Sequence, residues 1–213
     1  PYSKFYLRHV FQRYKCYWKN HFSTIGINGM NECCLNFLGK NIASKEGKEF
    51  AKKVMLYMRD VLAEFQEETG NMYNLEATPA ESTAYRFARI DTTQYPDIII
   101  ANYEDYKNGA FPYYTNSTHL PVNYSDDIYE VLTLQDDLQT LYTGGTVLHI
   151  FTADSNMSAQ SAKNLIRKIT SNFHLPYITI SPTFSICPSH GYINGEHFKC
   201  PICNSETEVY SRI

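Results

Sequence analysis

The chain has 213 residues, of which 43% are hydrophobic, 15% are aromatic and 19% are charged, and its formal net charge is −3. This length fits one large domain or two small ones, and the composition excludes a wholly disordered chain. The slightly acidic balance argues against a dedicated DNA-coating protein, and the sequence lacks the run of 18 apolar residues that a membrane-spanning helix needs.

Residues 1–24 alternate basic and aromatic side chains. They could form a platform that binds nucleic acid, or an amphipathic connector that packs its aromatic rings against a core. Because the chain as a whole is acidic, we favour the connector. The first residue is not methionine and no signal peptide is recognisable, so we expect a section of a longer polypeptide.

Two helices are predicted in the first third of the chain. The first, over residues 31–38, is expected to end at Gly39, and its apolar face comprises Met30, Cys33, Cys34, Phe37 and Leu38. The adjacent cysteines could be redox-active, but we favour small core residues because neighbouring cysteines rarely bridge each other. The second helix, over 44–69, has Ser44 as its N-cap and Gly70 as its stop. Its predicted apolar face comprises Phe50, Val54, Met58, Val61 and Phe65.

The middle of the chain is predicted to be mostly irregular. Residues 71–83 are assigned to a polar loop that leads into a short helix over 80–90. A turn over 95–97 precedes a short strand over 98–100, and residues 102–118 are assigned to a loop rich in Asn, Tyr and Gly.

The next segment predicts a strand–helix–strand unit. A helix over 125–142, capped by Ser125 and ended by Gly144, precedes a strand over 146–152, a helix over 158–173 and a strand over 177–186. A crossover of this length permits parallel pairing of the two strands. The chain is therefore predicted to be α/β up to residue 186, with a small cysteine-rich appendix after it.

The turn that follows residue 74 has two interpretations. Thr78 or Ser82 could cap a helix that starts near Pro79, whose free N–H groups would bind an anion such as a nucleotide phosphate, with Glu76 and Glu81 available for proton transfer. Alternatively, Thr78 and Glu81 form an ordinary capping box, which the local sequence favours.

Two other polar segments are noted. Residues 114–121 form a turn that could contact a ligand or only shape its loop, and the Gly-Gly-Thr sequence at 144–146 lacks the lysine of a phosphate-binding loop.

The tail carries the clearest chemical pattern. Cys187 and His190 form one pair with two intervening residues, and Cys200 and Cys203 form a second pair with the same spacing. Two such pairs can present four donors tetrahedrally, as structural zinc requires, and four protein ligands leave no open position for catalysis. His197 is the rival fourth ligand. This cysteine pattern suggests a reducing compartment, so a cytoplasmic protein is expected.

Several longer motifs carry a resemblance to one enzyme family. They include Gly-Met-Asn-Glu at 29–32, Thr-Pro-Ala-Glu at 78–81 and Tyr-Thr-Asn-Ser-Thr at 114–118, together with residues 21–26, 67–71, 73–77, 141–146 and 182–188. Over nearly its whole length the chain resembles the C-terminal part of the anaerobic, oxygen-sensitive (class III) ribonucleoside-triphosphate reductases, which are glycyl-radical enzymes.

The resemblance implies a fold and an activity. The fold is part of a ten-stranded α/β barrel, with a half-barrel segment at 1–186 and a zinc-ribbon segment at 187–213. The complete enzyme would reduce ribonucleoside triphosphates to 2′-deoxyribonucleoside triphosphates by radical chemistry. The glycyl radical would follow a segment like 209–212 and the thiyl cysteine would precede residue 1, so the segment alone is expected to be inactive. The alternative is a zinc-stabilised module that complements a separate catalytic polypeptide.

The resemblance also implies site residues and partners. Glu81 would be catalytic, and Thr78, Ala80 and Ser82 would bind substrate. The structural zinc would lie on Cys187, His190, Cys200 and Cys203, where many members have four cysteines. The expected partners are ribonucleoside triphosphates, a radical-SAM activating enzyme, allosteric nucleotides acting through regions outside this segment, and a second copy in a homodimer, but neither nucleic acid nor a membrane.

Overall fold

The computed structural model describes residues 5–121, 124–152, 157–182 and 184–210, and it does not describe the side chains of Glu81, Thr152, Pro182, Asn194 and Tyr210. The helices of the described residues are α1 (Arg8–Tyr14), α2 (Met30–Leu38), α3 (Lys45–Thr69), α4 (Glu81–Gln94), α5 (Tyr103–Lys107), α6 (Ile128–Gln139) and α7 (Ala159–Asn172). The strands are β1 (Phe22–Gly26), β2 (Met72–Glu76), β3 (Leu148–Thr152), β4 (Ile178–Pro182), β5 (Phe184–Cys187), β6 (Gly191–Asn194) and β7 (Glu208–Tyr210). This mixture of helices and strands confirms the α/β class. None of the helices in the described ranges has the length and apolar character that a bilayer crossing requires.

The described strands form three separate sheets. β1 pairs with β2 in parallel, and β3 pairs with β4 in parallel, as the predicted strand–helix–strand unit requires. β5 lies between β6 and β7 in an antiparallel sheet. The predicted single strand over 177–186 is therefore wrong, because its two halves, β4 and β5, belong to different sheets.

Two strand predictions are wrong for reasons of hydrogen bonding. β2 lies in residues 71–83, for which the sequence predicts a polar loop. It acquires its strand conformation by pairing with β1, about 50 positions earlier in the chain. Residues 98–100 pair with no strand in the described part of the chain. Instead the Asn36 side chain accepts a hydrogen bond from the Ile99 N–H and donates one to its carbonyl, so this backbone is paired outside a sheet.

The long helix α3 begins and ends as predicted. The Ser44 hydroxyl accepts a hydrogen bond from the Gly47 N–H at 3.0 Å, and Gly70 ends the helix in a left-handed conformation with a φ of 67°. Its fully buried residues are Gly47, Ala51, Met55 and Leu62. Of the predicted face, Phe50, Val54 and Met58 are partly buried and pack against this core, whereas Phe65 is exposed. The first turn of α3 lies close to the end of the preceding segment and to α2: a β-carbon at Gly47 would lie 2.1 Å from the Asn41 carbonyl oxygen, and the Cys34 thiol lies 3.6 Å from the Gly47 carbonyl oxygen.

The remaining helix boundaries follow their caps. Asp127 rather than Ser125 caps α6, since its carboxylate accepts a hydrogen bond from the Tyr129 N–H at 2.9 Å, and the helix ends before Gly144. Ser158 caps α7, so the helix starts within one residue of the predicted range of 158–173. α4 extends four residues beyond the predicted helix, and α5 lies within the predicted loop.

Two apolar clusters form the described core. The first lies between α2, α3, β1, β2 and α6 and includes Cys34, Met55, Leu75 and Leu138. The second packs β3 against α6 and α7 through residues such as Leu132, Ile150 and Ile169.

The prediction that the N-terminal aromatic rings pack against the core is wrong. None of the residues of α1 is buried, and Phe5, Tyr6 and Trp18 are all exposed. These rings contact one another instead, as Phe11 and Tyr17 do with ring centroids 4.6 Å apart.

Candidate functional site

The tail brings four potential metal ligands together. Cys187 ends β5 and His190 lies in the turn before β6, while Cys200 and Cys203 lie in the loop between β6 and β7. One ligand atom of each residue lies within 4.8 Å of the others, so the cluster could hold a metal ion.

The distances within this cluster test whether a tetrahedral ion fits. Cys187 Sγ lies 3.6 Å from Cys203 Sγ, and His190 Nδ1 lies 3.6 Å from the Sγ atoms of both Cys187 and Cys200. A tetrahedral zinc ion with ordinary bond lengths would separate two sulfur atoms by about 3.8 Å, and a sulfur from a nitrogen by about 3.6 Å. The donor set of three thiols and one imidazole therefore fits zinc. His197 is not a member of the cluster that the described residues form.

The protonation of the thiols depends on their different surroundings. Hydrogen bonds to the hydroxyl and the backbone of Ser205 lower the pKa of Cys203 to about 6, which favours the thiolate that binds metals. Burial raises the pKa of Cys187 above its ordinary value. A bound cation would offset this effect by stabilising the thiolate.

A buried serine holds the hairpin of this tail in place. The Ser185 hydroxyl donates a hydrogen bond to the Gly195 carbonyl at 2.8 Å and accepts one from the His197 N–H at 2.9 Å. In contrast, Tyr192, Phe198 and Ile202 are each more than half exposed. The tail thus lacks a substantial apolar core among its described residues, and a metal at four protein ligands would be structural.

A second group of polar residues lies where β1 and β2 end. Because these strands are parallel, Gly26 and Glu76 lie side by side at the same edge. Thr78 packs directly over Gly26, where an added β-carbon would lie 2.2 Å from the Thr78 methyl group, so only glycine fits. The Gly145 carbonyl accepts a hydrogen bond from the Ala77 N–H at 2.9 Å, which connects the 144–146 loop to the same edge.

The structure rejects part of the capping-box interpretation. α4 begins at Glu81, and the N-cap position belongs to Ala80, which has a left-handed backbone with a φ of 32°. No described side chain caps this helix, so Thr78 is not its N-cap. Thr78 and Ala80 are partly buried and Ser82 is exposed, whereas the side chain of Glu81 lies outside the described residues.

The polar turn at 114–121 shapes its loop through buried side chains. Thr115, Ser117 and Thr118 are all buried. The Ser117 hydroxyl donates a hydrogen bond to the Thr78 carbonyl at 3.0 Å, which joins this turn to the Thr78–Ser82 segment. The structure thereby brings together the 114–121 turn and the Thr78–Ser82 segment, which the sequence analysis considered as separate candidate sites.

Sequence reasoning missed two residues that hold this turn. Glu32 is 2% exposed, and its carboxylate accepts hydrogen bonds from the Thr115 hydroxyl at 2.7 Å and the Thr115 N–H at 2.9 Å. The ring nitrogens of His119 lie 2.8 Å from the Val147 carbonyl and 3.1 Å from the Asn116 carbonyl. Burial lowers the pKa of His119, although these backbone contacts oppose the shift. An acidic residue inside the apolar pattern of α2 was the available signal for Glu32.

The adjacent cysteines differ from each other. Cys34 is buried, and burial raises its pKa to about 11, as expected for a small core residue. Cys33 is exposed, so its assignment to the core is wrong. Its thiol is nevertheless partly shielded from solvent, and this shielding and the nearby Glu32 carboxylate raise the pKa of Cys33, which disfavours a reactive thiolate.

Comparison with known proteins identifies one family. The sequence profile of the family described as anaerobic ribonucleoside-triphosphate reductase matches residues 1–213. The anaerobic ribonucleoside-triphosphate reductase of Enterobacteria phage T4 is 24% identical over 182 residues, which are 83% of this chain and 29% of the phage protein. The Escherichia coli protein of the same name is 25% identical over 153 residues, or 70% of this chain and 20% of its own length. The chain thus spans less than a third of these relatives.

Solved structures show the same fold. The anaerobic ribonucleotide reductase from Thermotoga maritima with MES in the active site has a TM-score of 0.64 at 21% identity, covering 88% of this chain and 30% of that one. The same enzyme in complex with dATP and CTP has a TM-score of 0.63 at 22% identity, again covering 88% of this chain and 30% of that one.

Proposed function

The chain belongs to the anaerobic ribonucleoside-triphosphate reductase family, and we propose that it is a section of an enzyme that reduces ribonucleoside triphosphates to 2′-deoxyribonucleoside triphosphates by radical chemistry. The observation that carries this proposal is the family match over residues 1–213. The match includes the segments 78–82, 114–121 and 144–146, which meet at the ends of β1 and β2 and are called the strand-end site below. The glycyl radical and the thiyl radical of that chemistry would belong to regions outside this segment.

In this enzyme the Thr78–Ser82 segment forms the wall that faces the substrate phosphates. Its position at the carboxyl ends of β1 and β2 supports the assignment, since ligands of parallel sheets bind at that edge. The N-terminus of α4 also supports it, because backbone N–H groups at a helix start favour negative charge. Thr78, Ala80 and Ser82 bind the phosphates through this segment.

Glu81 is the proposed catalytic residue of this section. It is the first residue of α4, where its carboxylate and a phosphate would repel each other if both occupied the helix start. In the complete enzyme we therefore expect the Glu81 carboxylate to act on the ribose, where a carboxylate can accept a hydroxyl hydrogen bond or move a proton.

The proposed architecture has two segments. Residues 1–186 form part of a ten-stranded α/β barrel, which the two parallel strand pairs support. Residues 187–213 form a ribbon with structural zinc on Cys187, His190, Cys200 and Cys203, supported by the ligand distances. Among the described residues, neither core cluster draws a member from 184–210, and residues 184–186 pair with β6 and β7, which supports a separate ribbon that includes the whole of β5.

The partners of the complete enzyme follow from the same proposal. They are a radical-SAM activating enzyme, a second copy in a homodimer, and allosteric nucleotides that bind outside this segment. The complete enzyme is expected to act in the cytoplasm. The relative solved with dATP and CTP supports nucleotide binding.

The test uses the complete polypeptide that contains this chain. It is purified without oxygen, activated by a radical-SAM activating enzyme and incubated with CTP and a reductant, either formate or a reduced dithiol protein. We expect dCTP that depends on activation and disappears after exposure to air. A folded, zinc-loaded protein that forms no dCTP, beside a family enzyme that is active in the same assay, would instead support the zinc-stabilised module that complements a separate polypeptide.

A further inference from the structure

We infer that Ser117 is a positioning residue for substrate binding, which acts by fixing the carbonyl of Thr78 and with it the start of α4. This inference rests on the proposed role of the Thr78–Ser82 segment at the substrate phosphates. Ser117 is fully buried, and its hydroxyl donates to the Thr78 carbonyl at 3.0 Å. It therefore acts through Thr78 and does not need to touch the nucleotide.

The Thr78–Ser82 segment has little to hold it from its own sequence. No described side chain caps α4, and Ala80 adopts a φ of 32°, a conformation that non-glycine residues rarely adopt. Such a backbone persists only where surrounding contacts impose it. Two contacts on Thr78 do so: the packing of its methyl group over Gly26 and the hydrogen bond from Ser117.

Ser117 in turn is held rigidly from α2. The Gly29 N–H donates to the Thr115 carbonyl at 2.9 Å, and the Met30 N–H donates to the Ser117 carbonyl at 3.1 Å. The buried Glu32 carboxylate accepts from both the N–H and the hydroxyl of Thr115. The first turn of α2 thus fixes the segment from which Ser117 reaches Thr78.

The other side of the turn is anchored independently of Thr78. The Thr118 hydroxyl lies 2.9 Å from the Tyr142 hydroxyl, and the Thr118 carbonyl accepts a hydrogen bond from the Gln135 side chain at 3.1 Å. His119 adds a contact to the Val147 carbonyl. Thr118 is as deeply buried as Ser117. Both hydroxyls hydrogen-bond to Tyr142, and only that of Ser117 also donates to the Thr78 carbonyl among the described contacts.

This difference gives a matched experiment in the complete, activated enzyme. Ser117→Ala removes the hydrogen bond to Thr78, whereas Thr118→Val removes an equally buried hydroxyl from the same turn. We expect Ser117→Ala to raise the KM and the dissociation constant for CTP about fivefold, since a lost neutral hydrogen bond leaves the binding-competent turn less populated. The kcat should stay within about twofold of wild type because the reacting groups are unchanged. Thr118→Val should lower thermal stability but leave the KM unchanged.

Ser117→Gly guards against a folding failure of the alanine variant. Ser117 has a φ of 48°, which glycine adopts without strain, so this variant should fold while still lacking the hydroxyl. It should show the same rise in KM. An unchanged KM in the Ser117 variants, or an equal rise in Thr118→Val, would overturn the inference. A wild-type enzyme that neither binds nor reduces CTP would overturn the proposed function itself, and the inference with it.

Discussion

Replacing Cys200 by serine should release the metal and unfold only the tail. The tail together with the rest of β5, residues 184–210, has little else to stabilise it: of its described residues, those that are buried are Ser185, Cys187 and Cys200. Two of these three are metal ligands, so the apolar contribution to folding is small. Binding of structural zinc supplies about 10–16 kcal/mol in small zinc-dependent domains, or roughly 2.5–4 kcal/mol for each of four ligands. A loss of this size exceeds what the remaining contacts of a coreless three-stranded ribbon can offset.

The rest of the chain should not respond to this change. The two apolar clusters that hold α2, α3, α6 and α7 include no described residue of the tail. α3 is also closed at both ends by its own caps, Ser44 and Gly70. We therefore expect the helical signal of Cys200→Ser to remain close to that of wild type.

Two measurements check this prediction. Elemental analysis should find one zinc per wild-type chain and much less than one per Cys200→Ser chain. Hydrogen exchange should show lost protection in β5, β6 and β7 and retained protection in α3. Cys16→Ser is the matched control, because it also removes a thiol, but from an exposed cysteine outside the metal cluster. Stoichiometric zinc in Cys200→Ser would refute the ligand assignment, and lost protection in α3 would refute the independence of the tail.

Three further changes probe the strand-end site. Gly26→Ala should destabilise the protein by about 1–3 kcal/mol, because the new methyl group would lie 2.2 Å from the Thr78 methyl group. An unchanged urea midpoint would contradict this close approach. Burial lowers the pKa of His119 below its ordinary value of 6.5, so near that pH the unfolded state binds a proton that the folded state excludes. The free energy of unfolding should therefore decrease as the pH is lowered from 7.5 to 5.5. His119→Gln should remove part of that pH dependence, and an identical slope would exclude His119 as its source. In the complete enzyme, Glu81→Gln should retain CTP binding but lower kcat roughly 10²–10⁴-fold, the usual contribution of a positioned acid–base group, and near-normal turnover would remove Glu81 from the chemistry.

The elements that sequence reasoning predicted well are those specified by local interactions. α3 and α7 each begin at a serine whose hydroxyl accepts from a backbone N–H three residues later, and α2 and α3 each end at a glycine with positive φ. These contacts lie within a few positions of one another, so the order of residue types is enough to indicate them.

The elements that it missed depend on distant partners. β2 has a mixed sequence, Met-Tyr-Asn-Leu-Glu, in which only Leu75 is fully buried. Its strand conformation comes from pairing with β1 across the intervening α2 and α3. Conversely, the apolar residues 98–100 form no described strand because a side chain satisfies the Ile99 backbone. Composition alone does not distinguish these cases.

The ambiguity of the Thr78 turn has the same physical origin. A threonine three residues before a glutamate fits a capping box, and nothing within ten residues argues against it. The contacts that hold Thr78 come from distant residues instead. Ser117, almost 40 positions later, donates a hydrogen bond to the Thr78 carbonyl, and the Thr78 methyl group packs over Gly26. With Thr78 held in this way, Ala80 occupies the N-cap position of α4 in a left-handed conformation, and no described side chain caps the helix. The helix start that we propose to face the substrate phosphates is therefore shaped by residues from two other parts of the chain.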